Sequence, residues 1–366
     1  MSHNGVLIVD WKNVISHQNV LKRHINYGNA LRVLNPSLRL LIISRGQNLG
    51  TSSGSISHFS ENRILHFLLL LRRVILHNNI KLLVSGDPWD SAIVTFISKC
   101  LLNPSIKIEV QIHADIANPK WIFARPRNVL KFLVCFITLR LANQIRFVSQ
   151  EQRQNALRRF KLGSKNTYVA PVVLTGGIKY ERKLKKRNCL GIVGRLEKDR
   201  GTDGFLKLCR FYGQVLPTMN FLIVGDGSER LKLEELARRS DRGCRAEFLG
   251  DMNIENIESA WSQIGLLISL APTESFGRSI REALVRGIPV ACLRTSGAKD
   301  LQVYVPSPYL NLYEDIDDLM EHCPVEELVS VCVPTAVSEV IEKNMSNAVR
   351  QLCQEWQQAI FPLVEN

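Results

Sequence analysis

Short, nearly continuous apolar runs recur along the chain about 20–30 residues apart, each followed by a stretch of helical periodicity, the rhythm of a βα unit. In the first half the runs are Val6–Asp10, Leu38–Ser44, Lys81–Ser85, Ile108–His113, Gln144–Ser149 and Tyr168–Val173. Amphipathic stretches at Val14–Leu34, Asn62–His77 and Ala92–Leu102 lie between them. In the second half the runs are Leu190–Gly194, Phe221–Gly225, Ala246–Gly250, Leu266–Leu270 and Ile288–Leu293. Strands rich in Val, Ile and Leu without polar alternation are buried on both faces, so they predict parallel sheets covered by helices on each side. Strand and helix alternate throughout, which predicts an α/β architecture.

The 366 residues exceed one compact domain and suit two. Residues 174–189, LTGGIKYERKLKKRNC, are basic, contain Gly-Gly and separate two strand runs. The expected organisation is a first domain over 1–175, a linker over 176–189, a second domain over 190–334 and a C-terminal helix over 335–366. That last segment carries an apolar stripe at Val340, Ile341, Met345, Val349, Leu352 and Trp356, predicting a long helix that packs across the domains. Residues Gln47–Ser60, rich in Gly, Ser and Asn, read as a surface loop.

Charge sharpens the division. The net charge is +13, but Lys and Arg exceed Asp and Glu by 21 over residues 1–190 and fall short by 8 over 191–366. A basic first half suits an anionic membrane surface, a phosphorylated ligand or nucleic acid, or is solvated surface charge. No nucleic-acid reader motif accompanies it. The nine cysteines form no CxxC pair, which argues against zinc ribbons and thioredoxin chemistry and suits reduced thiols in a cytoplasmic setting. No apolar stretch reaches the length of a membrane span.

Four places could carry chemistry. LGIVGRLEKDRG (190–201) ends a strand at Gly194 and then presents Arg195, Lys198 and Arg200 before a helix. Ligands of open α/β sheets bind at the carboxyl ends of strands, and guanidinium forks suit phosphate; the alternative is a turn with exposed charges. APTESFGRSIREALVRG (271–287) places Glu274 before a helix and Glu282 within it, with Gly277 at the helix start. Backbone amides there favour an anion, and the carboxylates suit sugar hydroxyls or are solvated. His113, in His113-Ala-Asp115, ends an apolar run. Gly225-Asp226-Gly227 is a lone GxG that reads as a tight turn. Asp87-Pro-Trp-Asp90 reads as a helix N-cap around Asp90.

GRLEKDRGTDGF, FLIVGDGSERLKLEELA, FLGDM and PTESFGRSIREALVRGIPVACLRTSGAKDL occur in this order. Together they resemble the C-terminal half of retaining family-4 glycosyltransferases (glycosyl transferases group 1). The resemblance runs from Leu190 to Leu301; in the first half it is confined to IHAD and the strand rhythm. It implies a GT-B fold, two Rossmann-like domains facing a central cleft, and a nucleoside-diphosphate-sugar donor held mostly by the second domain. By resemblance, Gly194, Arg195 and Arg200 hold the diphosphate, with Arg200 standing where lysine is usual. Glu274 meets sugar hydroxyls, Glu282 meets the ribose, and the amides of Phe276, Gly277 and Arg278 contact sugar and phosphate. His113 approaches the reacting carbon of the donor sugar. The family's frequent Gly-Gly loop after the first strand is replaced here by Trp11-Lys12-Asn13 and Ser16-His17-Gln18. The implied reaction is sugar transfer to a glycan or lipid-linked acceptor, as in cell-surface polysaccharide or glycolipid synthesis, with no cofactor and no metal. A non-catalytic relative binding an anionic surface, or a sugar-nucleotide epimerase of the same fold, is the alternative. The stretch Arg125–Phe160, dense in Arg and Lys with Glu151 its one acid, predicts peripheral, salt-sensitive membrane association through the first half.

Overall fold

The computed structural model describes residues 4–12, 18–46, 55–164, 166–174, 188–238, 245–253 and 256–362. The chain divides into two compact units, residues 1–175 with 345–366, and residues 176–344. Of the expected linker 176–189, residues 176–187 lie outside the described residues and Cys189 already belongs to a strand; Asn13–His17 and residues 47–54 also lie outside them.

The first unit runs β1 (Asn4–Asp10), α1 (Gln18–Leu34), β2 (Leu38–Ser44), β3 (Ile56–Ser60), α2 (Ile64–His77), β4 (Ile80–Ser85), α3 (Asp90–Leu102), β5 (Lys107–Ile112), α4 (Pro119–Ile122), α5 (Pro126–Leu141), β6 (Gln144–Phe147), α6 (Gln150–Phe160) and β7 (Thr167–Val169). Its seven strands pair in parallel in the order β3-β2-β1-β4-β5-β6-β7. Successive side chains of β1 enter opposite layers: Leu7 and Val9 join the core under α2, α3, α5 and α6, whereas Val6 and Ile8 join the core under α1. Two-sided burial is why β1 reads as an unbroken apolar run.

One sequence expectation fails here. Ile56–Ser60, read as part of a surface loop, forms the edge strand β3, with Ile56 opposite Leu40 and Ser60 opposite Ser44. Its two apolar residues fall on opposite faces, Ile56 in the core under α1 and Phe59 against the core under α2, with Ser and His between and around them after a Gly- and Ser-rich stretch, so no apolar run marks it. The helix start near Asp90 also differs in detail. Asp87 is the capping carboxylate, accepting from the amides of Trp89 (3.0 Å) and Ser91 (3.3 Å), while Asp90 pairs with Lys12 at 3.0 Å.

The second unit runs β8 (Cys189–Val193), α7 (Thr202–Val215), β9 (Asn220–Val224), α8 (Arg230–Arg238), β10 (Ala246–Gly250), α9 (Ile257–Trp261), β11 (Leu266–Ser269), α10 (Arg278–Val285), β12 (Val290–Leu293), α11 (Ser296–Gln302), β13 (Leu310–Tyr313), α12 (Ile316–His322), α13 (Val325–Leu328) and α14 (Thr335–Ile360). The six strands are parallel in the order β10-β9-β8-β11-β12-β13. Neighbours β8 and β11 carry the loops in which the sequence placed Arg195, Arg200 and Glu274.

α14 begins in the second unit and ends in the first. Its Ala348, Leu352, Cys353, Trp356 and Ala359 pack with Tyr27, Leu31 and Tyr168 on the α1 face of the first sheet. Trp356 is fully buried and donates from Nε1 to Glu109 Oε2 at 3.0 Å. Glu109, also fully buried, accepts in addition from Gln144 (2.5 Å), Tyr168 (2.8 Å) and Gln111 (2.9 Å). Four donors compensate the desolvated carboxylate and fasten the last helix to the interior strand β5.

Candidate active site

In the second unit the chain leaves β8 at Gly194, passes Arg195, makes a 3₁₀ turn over Lys198–Arg200, and enters α7 through Gly201. Gly201 sits at φ 78°, and a Cβ there would stand 2.0 Å from the carbonyl oxygen of Leu270. Only glycine permits this approach, which presses the Arg200 turn against the loop that follows β11. The other side of the loop is pinned by Leu196, whose amide donates to the Asp226 carbonyl at 2.8 Å. Glu197 holds the same neighbouring turn through the Ser228 amide (3.2 Å) and hydroxyl (3.0 Å). The Gly225-Asp226-Gly227 segment is therefore a brace for the arginine loop.

After β11 the chain turns through residues 270–277 into α10. Gly277, at φ 71°, is the N-cap of that helix. Glu274 lies inside the turn. Its Oε2 accepts from Arg200 Nη1 at 2.7 Å, its Oε1 from the Phe276 amide at 3.4 Å, and its carbonyl oxygen from the Gly297 amide at 2.8 Å. Arg195 is exposed; partial loss of water and then the like charge of Arg200 push its pKa down from the usual arginine value. Two guanidinium groups thus stand near each other on the loop after β8, with Asp199, Glu197 and Glu274 opposing their mutual repulsion at Arg195. One turn into α10, Glu282 accepts from Arg278 Nε at 2.8 Å, leaving the Arg278 side chain half exposed and that of Glu282 mostly covered. The second unit thus gathers Gly194, Arg195, Arg200, Glu274, Phe276, Gly277, Arg278 and Glu282 on the loops after β8 and β11 and the first turns of α10.

Sequence reading passed over Arg281 and Arg286. Arg281 is buried, with its guanidinium 4.0 Å from the centre of the Phe276 ring, and its Nη1 has no hydrogen-bond partner. Burial lowers its pKa, opposed by Tyr304 and Asp300. A cation on the buried stripe of α10, beside Ile280 and Leu284, is the signal that marks it in the sequence. Arg286 closes the far end of α10. It donates to the Glu282 carbonyl at 2.8 Å and to Glu258 at 3.0 Å, and lies over Trp261 at 5.0 Å. Together they fix α10 from below and behind.

His113 belongs to the first unit, one residue beyond β5. Glu109, Gln111 and His113 share one side of the strand direction. Gln111 donates from Nε2 to Glu109, so its Oε1 is turned toward His113 Nε2, 3.4 Å away, and toward Arg146 Nη1 at 3.3 Å. A carboxylate accepts only, which fixes the glutamine amide and makes His113 Nε2 the donor. The ring is open to solvent on one side yet enclosed by protein at longer range. Loss of bulk water, then Arg146 and Arg23, push its pKa well below 6.5, leaving a neutral imidazole. Among the described residues no group of three His, Cys, Asp or Glu side chains is arranged to hold a metal ion.

Residues 177–303 match the family Glycosyl transferases group 1. The chain is 25% identical over 247 residues to a phosphatidylinositol N-acetylglucosaminyltransferase subunit of Homo sapiens, covering 66% of this chain and 43% of that protein. It is 28% identical over 137 residues to 2-deoxystreptamine N-acetyl-D-glucosaminyltransferase of Streptomyces fradiae, covering 36% and 32%. The matches thus span less than half the length of these relatives. Among solved structures, Anabaena HepE in complex with UDP and glucose superposes with a TM-score of 0.74 at 16% identity, covering 98% of this chain and 100% of that one. The fold, two parallel α/β sheets with their helices, is the GT-B fold of glycosyltransferases.

Proposed function

We propose that the chain is a retaining glycosyltransferase that moves a sugar from a nucleoside-diphosphate donor to a glycan or lipid-linked acceptor. The observation that carries this reading is the contact of the Arg200 turn with the Glu274 loop at the carboxyl ends of β8 and β11, within the segment matched to the family. Departure of a nucleoside diphosphate develops negative charge on phosphate oxygens. Arg195, Arg200 and the amides at the start of α10 are positioned to stabilise that charge, so the reading calls for no resident metal. Glu274 then orients the sugar through its hydroxyl groups, and Glu282 the ribose. His113, neutral near pH 7, serves as a hydrogen-bonding group toward the sugar rather than as a cation. Glu274 is a positioning carboxylate in this scheme. The leaving phosphate itself takes the acceptor proton as the acceptor oxygen attacks from the same face, which preserves the anomeric configuration.

The test is a thermal-shift panel of UDP-glucose, UDP-N-acetylglucosamine and GDP-mannose, followed by product analysis in excess chelator. A ligand bound only by the folded chain raises the melting temperature by mass action. A rise with one donor, and transfer with the donor's anomeric configuration kept in the presence of EDTA, supports the reading. No shift with any sugar nucleotide overturns it, and loss of transfer on chelation that Mg²⁺ restores overturns the metal-free part.

A further inference from the structure

We infer that the outer face of α2, α3 and α5 is a docking surface for an anionic phospholipid leaflet. These three helices cover one side of the first sheet, and each buries only part of its apolar content there. Phe67, Leu71, Val74 and Ile75 of α2 reach the core, whereas Leu65, Leu69 and Leu76 are 74%, 62% and 54% exposed. On α3, Ile93, Ile97 and Leu101 follow one another at intervals of one turn, and Leu101 is 78% exposed. On α5, Leu130, Leu133, Ile137 and Leu141 form a second outward stripe, each more than half exposed. Helices α2 and α3 pack against each other, and Thr138 of α5 donates to Pro88 at the start of α3 at 2.7 Å. Three neighbouring helices thus present apolar side chains on both their inner and outer faces, where a water-facing helix would be polar outside.

Charge selects the occupant. The ionised side chains of the three helices are Arg72, Arg73, Lys99, Arg127, Lys131 and Arg140, opposed by Asp90 alone. Asp90 is itself paired with Lys12. A second copy laid face to face would set cation against cation around the apolar contact. An anionic leaflet meets both features at once, since aliphatic side chains enter the headgroup boundary while arginines pair with lipid phosphates. No described helix is long and apolar enough to cross a membrane, so the contact is one of lying on the surface. Sequence reading placed the association on residues 125–160; the structure extends the face to α2 and α3 and leaves Arg146, which is buried, out of it.

The experiment is co-sedimentation of the full chain with vesicles of phosphatidylcholine alone and of phosphatidylcholine mixed with phosphatidylglycerol, at low and high salt and without any sugar nucleotide. It therefore stands or falls separately from the proposed transfer reaction. The expected result is binding to the anionic vesicles that weakens with salt. Combined R72Q, R73Q and R127Q lowers that partitioning about a hundredfold, at roughly fivefold for each cation. Combined L69S, I97S and L133S abolishes it while thermal melting falls by only a few degrees, because all three side chains are more than half exposed and the change costs mainly helix propensity. Absence of binding to anionic vesicles overturns the inference, as does equal binding to neutral ones. A dimer in sedimentation velocity that L69S, I97S and L133S dissociate would assign the face to a second copy instead.

Discussion

Arg200 Nη1 and Glu274 Oε2 stand 2.7 Å apart although 74 positions separate them in the sequence. Each satisfies a charge that the proposed reaction would use on the donor, one on phosphate and the other on sugar hydroxyls. The pair should therefore respond asymmetrically to substitution. Arg200→Ala is expected to weaken UDP binding by about 10–100-fold, the loss of a charge-assisted hydrogen bond. Glu274→Gln should leave UDP affinity unchanged or tighter, because it releases Arg200, while sugar transfer falls sharply. Isothermal calorimetry with UDP beside initial rates checks both; a parallel loss of UDP affinity in Glu274→Gln would contradict the division of roles.

Arg281 holds Phe276 from beneath, 4.0 Å from the ring centre. Arg281→Met keeps much of the side-chain volume and removes a buried, incompletely paired cation, so stability should change little. The loop of Phe276 and Gly277 loses its platform, and the expected effect is on donor affinity and rate. Melting curves and donor titration of the same variant separate the two. A large fall in melting temperature with normal donor binding would make Arg281 a folding residue only.

His24 is buried beside Arg23 and Arg146, and its Nδ1 has no hydrogen-bond partner. Burial, then those two arginines, holds its pKa well below 6.5. The unfolded chain binds this proton first as pH falls, so the contribution to stability is complete above about pH 6.5 and is lost below it, down to the folded pKa. The slope for one such histidine is up to about 1.4 kcal/mol per pH unit. His58, buried and bonded to Ser44 Oγ at 2.8 Å, adds in the same direction. Urea midpoints between pH 5 and 8 should fall on the acid side, and His24→Leu should flatten that fall. An unchanged slope would place the acid sensitivity elsewhere.

Trp356 fills the floor of the first unit and donates to Glu109. Trp356→Ala should cost about 3–5 kcal/mol for the cavity, plus the lost hydrogen bond. Trp356→Phe retains most of the packing and isolates the smaller second part. Urea denaturation of the two variants gives the comparison; equal losses would mean that the ring contributes little beyond its hydrogen bond.

Much of this architecture was legible because buried parallel strands declare themselves as apolar runs, Leu38–Ser44 and Leu266–Ser269 among them. β3 was not legible, since Ile56 and Phe59 fall on opposite faces of a five-residue edge strand among Ser and His, which leaves no apolar run to read. At the site, Arg195, Arg200, Glu274 and Glu282 drew notice through charge at the ends of strands and helices. Arg281 left only the signal of a cation on the buried stripe of α10, and Arg286 escaped notice because its importance is burial over Trp261, a tertiary property. The tautomer of His113 was likewise invisible, since it depends on Gln111 being turned by Glu109.

The course of α14 bears on how chains of this fold can be recombined. Because the chain enters the second unit after residue 175 and returns to the first at Met345, a chimaera made with a single crossover would graft a foreign tail onto the native first sheet. The seam has to be cut twice, with residues 345–362 inherited from the same parent as Glu109 and Tyr27. Exchange of the second unit between relatives is then an insertion of a cassette into a host, and a library built on one junction would discard most of its members as unfolded.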